Sequence, residues 1–243
     1  MPISPLIAVA NPTAYGVDIA SFQGMPDWAK VRQHGFTFAY IKTTQYPHYT
    51  NPYGLEQRVT AFKAGLTVGN YCYGVGKLGH GIEQADFFLK QSQIEAWHLI
   101  PFLDLEESGS EGAKPAELEQ FAFDWGTHIC AALKIKRVLL YTDQNMLNNR
   151  IKVTRRLQNL FVLDLADWTL GPPPKLRGWN IVCQQYDTSR GVPGIVGPVD
   201  KDRLYVPIDS LKIEHNRTGD IPLAVHSPTN PSGIRRLLNR GNG

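Results

Sequence analysis

Asp104 and Glu106 stand one leucine apart at the end of the apolar run Ile100-Pro101-Phe102-Leu103-Asp104-Leu105-Glu106. In a strand, alternate side chains share a face, so the two carboxylates project together while Leu103 and Leu105 point the other way. Mutual repulsion and partial shielding from water both disfavour a second charge, which leaves one proton-bearing acid beside one anion. That pair is the equipment for cleaving a glycosidic bond. Residues two apart on a strand lie roughly 6.5 to 7 Å apart at Cα, and side-chain splay leaves retaining and inverting geometries both open. An Asp-x-Glu alone also commonly opens a loop, so the rest of the chain must decide.

Two further acids occupy comparable positions. Asp18 closes the run Gly16-Val17-Asp18-Ile19-Ala20, and Asp200 follows the turn-rich stretch Pro193-Gly194-Ile195-Val196-Gly197-Pro198-Val199. Aromatic residues accompany the acids at or near strand ends: Tyr40, Tyr71, Tyr73, Tyr141, Trp168 and Tyr186. Sugar rings present apolar C–H faces that stack on such side chains. Tyr40 and Tyr73 are assigned to packing, because aromatics fit pleated surfaces; Tyr71, Tyr141 and Trp168 are assigned to the site.

The elements that must position these groups alternate. Strand candidates are 15–20, 36–43, 67–74, 98–104, 137–142, 160–166 and 179–186, with helical patterns near 27–34, 53–64, 80–92, 115–134 and 143–158. The helix at 115–134 carries Leu118, Phe121, Ala122 and Trp125 on one face. Strand then helix, five times over, implies parallel strands with right-handed crossovers. After Leu160 the helical patterns end, and Gly171-Pro172-Pro173-Pro174 must be a rigid loop. Five βα units followed by two or three bare strands make an incomplete, TIM-like α/β barrel, whose chemistry gathers where strands end on their C-terminal side. The first, fourth and last strands would then bring Asp18, Asp104, Glu106 and Asp200 to one rim.

The bulk numbers agree with one such domain. The chain has 243 residues, 42% of them hydrophobic and 19% charged, and closed α/β barrels take about 200 to 250 residues. A net charge of +3 leaves no electrostatic footprint for nucleic acid. Cys72, Cys130 and Cys183 lack metal-ligand spacing, and Cys72 and Cys183 read as small buried hydrophobes. The seven histidines form no H-x-H or H-x-x-x-H pair, so no metal or other cofactor is expected. No apolar stretch approaches the roughly 20 residues of a membrane helix, and residues 1–14 carry no clear secretory signal. Residues 15–206 are expected to form the barrel. Residues 207–243 are rich in Arg, Pro, Gly, Asn and Ser, and form a basic extension of unassigned role.

The ordered set of motifs resembles the glycoside hydrolase family 25 lysozymes, the Chalaropsis-type muramidases of phage endolysins and bacterial autolysins. Gly16-Val17-Asp18-Ile19-Ala20-Ser21-Phe22-Gln23-Gly24 is similar to the family's opening motif, and Asp27-Trp28 with 35–44 to its second strand. Residues 64–71 resemble its third strand, Asp104-Leu105-Glu106 its D-x-E, and Gln185-Tyr186, Pro193-Gly194 and Val199-Asp200 its closing elements. The resemblance implies a flattened barrel and hydrolysis of the β-1,4 bond between N-acetylmuramic acid and N-acetylglucosamine in peptidoglycan. It implies Glu106 as proton donor and Asp104 as its acidic partner, with Asp18 and Asp200 as the remaining acids. Tyr71 would stand at the reaction centre, with Lys42, Gln45, Tyr141, Trp168, Gln185 and Tyr186 on the glycan. Departures from the family pattern fall at Gln45 (usually Glu), Cys72 (usually His), Asp164 (usually Trp) and Gln184 (usually Trp). A monomer acting on peptidoglycan is expected, held in a phage-infected cytoplasm until release or carried on a virion through residues 207–243. The competing expectation is a barrel of the same kind that binds glycan in a virion without turnover.

Overall fold

The computed structural model describes residues 11–169, 171–188 and 191–224. The strands are β1 (Ala14–Ile19), β2 (Phe36–Gln45), β3 (Tyr49–Thr50), β4 (Thr67–Tyr73), β5 (Phe102–Asp104), β6 (Val138–Asp143), β7 (Phe161–Ala166), β8 (Ile181–Asp187) and β9 (Asp200–Leu204). Parallel pairing runs from β1 through β2, β4, β5, β6 and β7 to β8. β9 lies antiparallel between β8 and β1 and closes the ring. β3 hangs from the end of β2 as a short antiparallel ribbon. The helices are α1 (Trp28–Gln33), α2 (Gly54–Lys63), α3 (Gly81–Ser92), α4 (Glu107–Ser110), α5 (Pro115–Leu133), α6 (Arg155–Leu160) and α7 (Ile213–Thr218). Five βα units lead into β7, β8 and β9, which have no helices between them among the described residues. This is the α/β barrel that the alternation implies.

Local chemistry explains the best-defined helices. Pro115 occupies the first turn of α5, where its missing N–H costs nothing, and Leu118, Phe121, Ala122, Trp125 and Ile129 form its buried stripe. Asp27 caps α1 by accepting the Lys30 amide at 3.1 Å. Outside the barrel, Val17, Ile19, Ala39, Ile41 and Val68 pack against Trp28, Val31 and Ala61 of α1 and α2. The opposite pleat parity faces the lumen, and two glycines make room there. A Cβ on Gly16 would sit 2.2 Å from the Phe38 ring, and one on Gly69 would sit 2.2 Å from the Tyr40 ring. Phe38 and Tyr40 therefore fill the barrel interior, and the Tyr40 hydroxyl donates to the Ile100 carbonyl at 3.0 Å.

Three elements differ from their sequence expectations. The segment 98–104 pairs as a strand only over Phe102–Asp104, because Pro101 has no N–H and the Ile100 amide donates instead to Leu211 at 2.7 Å. The single helix expected over 143–158 is a π-helical turn at Met146–Arg150 followed by α6. Asp143 caps the first by accepting from the Met146 amide, and Thr154 caps the second by accepting from Leu157. Between them lie Ile151 and Val153, β-branched residues that favour extended backbone. The third is β9, which was expected only as an unlocated closing strand.

Residues 207–224 cross the barrel end opposite the one that carries the catalytic candidates. The Ile213 amide donates to the His98 carbonyl at 2.9 Å, Leu99 bridges to Lys212, and Leu211 and Ile213 are buried. The Asn216 side chain accepts both the Lys136 and Arg137 amides just before β6. Residues 225–243, the rest of the basic extension, lie outside the described residues.

Candidate active site

Asp18 lies on the lumen-facing parity of β1, set by Gly16 two residues earlier. Because β9 runs antiparallel, its first residue rather than its last reaches the rim where the parallel strands end, so Asp200 is the Cα partner of Asp18. β5 ends at Asp104, and Glu106 follows in extended conformation as the residue entering α4. Asp18, Asp104, Glu106 and Asp200 all line one cavity of about 60 Å³, walled by Tyr71, Phe102, Tyr141 and Gln185. Glu106 and Tyr141 also line an adjoining cleft of about 360 Å³ with Glu107, Ser108, Asp143, Ala166 and Trp168. Glu106 therefore stands where a narrow acidic recess meets an open cleft.

Burial dominates the electrostatics. It raises the Asp104 carboxyl well above the ordinary range, the Glu106 charge raises it further, and the Lys42 ammonium pulls it back. Glu106 is also raised, first by loss of water and then by Asp200 and Asp143, with Lys42 opposing. Asp18 is raised well above its usual value by burial, then by Asp200 and Asp164, while a hydrogen bond from Gln185 lowers it. Burial, with help from Asp187, pushes Asp200 up to about 6. Like charges in a low-dielectric recess cannot all ionise. The cluster therefore resists full ionisation.

A short network fixes the acids to the aromatic walls. Gln185 donates to Asp18 Oδ2 at 3.2 Å, and its carbonyl oxygen accepts from the Tyr141 hydroxyl at 2.9 Å and Trp168 Nε1 at 3.3 Å. Tyr71 stacks on Phe102 with ring centroids 4.6 Å apart, which fixes its edge towards the recess. Trp168 is 68% exposed and offers an open face to the cleft. Lys42 is buried beside the acids: its Nζ lies 4.5 Å from the centre of the Tyr73 ring and donates to Gln45 at 2.9 Å. Gln45 thus holds the cation that tempers Asp104 and Glu106, instead of lining the recess.

Tyr186 does not join the site. Beside a register shift in the β8–β9 pairing between Gln185 and Asp187, Tyr186 meets the Tyr15 ring edge-on and lies under the Arg203 guanidinium at 4.9 Å. Conversely, Phe102, Asp143 and Ala166 line the two cavities without having been singled out. Phe102 shares its face with Asp104, and Asp143 and Ala166 end β6 and β7, so strand parity and the strand-end rule would have found all of them.

Comparisons with known proteins bear on the family and the fold. The family model described as Glycosyl hydrolases family 25 matches residues 17–195. Lysozyme M1 of Streptomyces globisporus is 25% identical over 199 residues, covering 78% of this chain and 67% of that protein. The bacterial lysozyme from Streptomyces coelicolor superposes with a TM-score of 0.76 at 23% identity, over 84% of this chain and 97% of that one. A muramidase from Trichobolus zukalii gives a TM-score of 0.74 at 22% identity, over 84% and 99% of the two chains. At these identities the two structures establish a shared fold.

Proposed function

Because the chain belongs to glycosyl hydrolase family 25 and is a glycoside hydrolase, we propose that it is an N-acetylmuramidase cleaving the β-1,4 bond between N-acetylmuramic acid and N-acetylglucosamine in peptidoglycan. The observation that carries this reading is the shared cavity of Asp18, Asp104, Glu106 and Asp200, open to an aromatic-walled cleft at Glu106. Glu106 is the general acid. Loss of water favours its protonated form, and its place at the recess mouth lets the proton reach the oxygen of a glycan lying in the cleft. The 2-acetamido oxygen of the muramic acid residue attacks its own anomeric carbon as the glycosidic bond breaks, and Asp104 orients and stabilises that group. Water then displaces the acetamido oxygen from the anomeric carbon, breaking the bond formed in the first step and giving its proton to the Glu106 carboxylate, which restores the acid. Asp18 and Asp200 shape the charge of the recess, and Tyr71, Tyr141 and Trp168 bear on the sugar rings.

Zymography on purified peptidoglycan tests the assignment. Glu106→Gln is expected to lose roughly a hundred- to ten-thousand-fold in turnover with the fold intact, and new reducing ends should be those of muramic acid. Near-normal lysis by Glu106→Gln would remove the acid from this residue. A first-formed α anomer, seen by NMR, would exclude the retaining route while leaving the site in place. The same proposal includes a setting, wall lysis or wall penetration by a phage. Mass spectrometry of purified particles and of infected-cell lysate tests it, and finding the protein in neither would overturn the setting without touching the chemistry.

A further inference from the structure

One layer of side chains deeper in the barrel than the rim, three inward side chains of neighbouring strands converge. They are Asp164 of β7, Cys183 of β8 and Asp202 of β9, each two positions inward from Ala166, Gln185 and Asp200. Asp164 and Cys183 are Cα partners, and Gln185 partners Asp202, so pleat parity delivers all three to one spot. A carboxylate oxygen from each aspartate and the Cys183 sulfur all lie within 4.8 Å of one another. Asp164 is 2% exposed, Asp202 1% and Cys183 not at all.

The pairing of these groups is incomplete. Asp164 Oδ1 and both oxygens of Asp202 are buried without a hydrogen-bond partner among the described residues. The Cys183 thiol and the Gln185 amide donate to Asp164, whereas nothing among the described residues donates to either oxygen of Asp202. Leaving a buried polar atom unpaired costs about 1 to 3 kcal/mol, and more when it is charged. Apolar side chains of similar volume would usually be as stable or more so. The lumen elsewhere is filled in that way, by Phe38, Tyr40 and Phe102. An electron-pair acceptor between the three groups resolves the conflict, since each offers a lone pair to the same point.

The mixture of one sulfur and two oxygens narrows the choice. Magnesium and calcium prefer shells built wholly of oxygen, whereas zinc accepts thiolate and carboxylate together. We propose that Asp164, Cys183 and Asp202 form a structural site for one zinc-class divalent cation, tying together β7, β8 and β9. Those are the barrel strands with no helices between them among the described residues, so a cross-link has the most to contribute there. The hydrolytic chemistry does not pass through this ion, and the proposal stands independently of the muramidase assignment. Binding replaces the Cys183 thiol proton with the metal, so proton release accompanies it.

Metal analysis of the full-length protein after dialysis against zinc, with cobalt as spectroscopic probe, tests the site. One equivalent of zinc, a higher Tm and a thiolate-to-cobalt charge-transfer band in the near ultraviolet are expected. Cys183→Ser and Asp202→Asn should each weaken binding by roughly a hundredfold or more, beyond the effect of losing an outer-shell group, while Glu106→Gln and Cys72→Ser bind as the parent does. Binding well below one equivalent, or no cobalt–thiolate band in the folded parent, would overturn the proposal whatever the variants do. So would binding that survives Cys183→Ser, or binding lost in Glu106→Gln, which would place the metal among the rim carboxylates.

Discussion

Glu106 is held between two opposed influences, loss of water that raises its pKa and the Lys42 ammonium that lowers it. An acid catalyst must be protonated, so activity falls as pH rises through its pKa. Replacing Lys42 by Met removes the lowering influence while keeping a long apolar stem over Tyr73. The alkaline limb of the kcat/KM profile should therefore move to higher pH, by up to about one unit; a limb that stays put or moves down would mean that Lys42 does not act on the acid. Gln185 gives a second test at this scale. It is the link that donates to Asp18 while accepting from Tyr141 and Trp168. Tyr141→Phe removes one such bond, worth about 1 kcal/mol, and should slow turnover about fivefold. Gln185→Leu breaks the whole link and leaves a buried donor and acceptor unpaired, so its loss should exceed that of Tyr141→Phe by at least about tenfold. Equal losses would show that the link does not set the geometry of the recess.

Among the elements, the segment leading into β5 is the most sensitive to pH. His98 is buried, its Nδ1 accepts the Glu95 amide at 3.0 Å, and burial with the nearby Arg58 charge holds its pKa down to about 4. The unfolded value is about 6.5, so the folded state prefers the neutral ring. The resulting stability is complete above about pH 6.5, is lost as pH falls towards about 4 and levels off below, a change on the order of 3 kcal/mol. Raised carboxylates work in the opposite sense over the same range, so the difference between parent and His98→Gln is the informative quantity. In urea unfolding, the parent's advantage should shrink between pH 7.5 and 4.5; a constant difference would mean that His98 titrates normally. How much of such an element was legible depended on what its residues record. The helix over Pro115–Leu133 was plain because its stripe and first-turn proline are local signals. The strand β9 was not, because Asp200-Lys201-Asp202-Arg203-Leu204 carries charges at four of five positions and becomes a strand only through partners on both sides. The four rim acids were legible because strand ends mark them. Cys183 read as a small hydrophobe, since one strand by itself says nothing of what its neighbours bring alongside.

At the scale of the whole molecule, the proposed chemistry and the far-end packing lie at opposite ends of one barrel. The rim holds acids whose burial opposes ionisation, a cost that the rest of the fold must carry. The far end is covered by residues 207–224, where Leu211 and Ile213 enter the main core and hydrogen bonds tie them to the start of β5. Ile213 is fully buried, so Ile213→Ala should cost about 2 to 5 kcal/mol in lost transfer energy and cavity formation. For a domain of this size that lowers Tm by roughly 4 to 20 °C. Activity of the folded fraction at 25 °C should stay near that of the parent, since the altered side chain lies at the other end of the strands. Glu106→Gln should do the reverse, abolishing turnover while leaving Tm unchanged or slightly raised, because it removes a raised acid from a crowded recess. Thermal unfolding and turnover of the two variants, measured side by side, check the division. If Ile213→Ala melts within about 2 °C of the parent, the far-end segment contributes little packing energy. If it lowers turnover of the folded protein as much as a rim substitution does, the two ends are coupled through the lumen side chains between them.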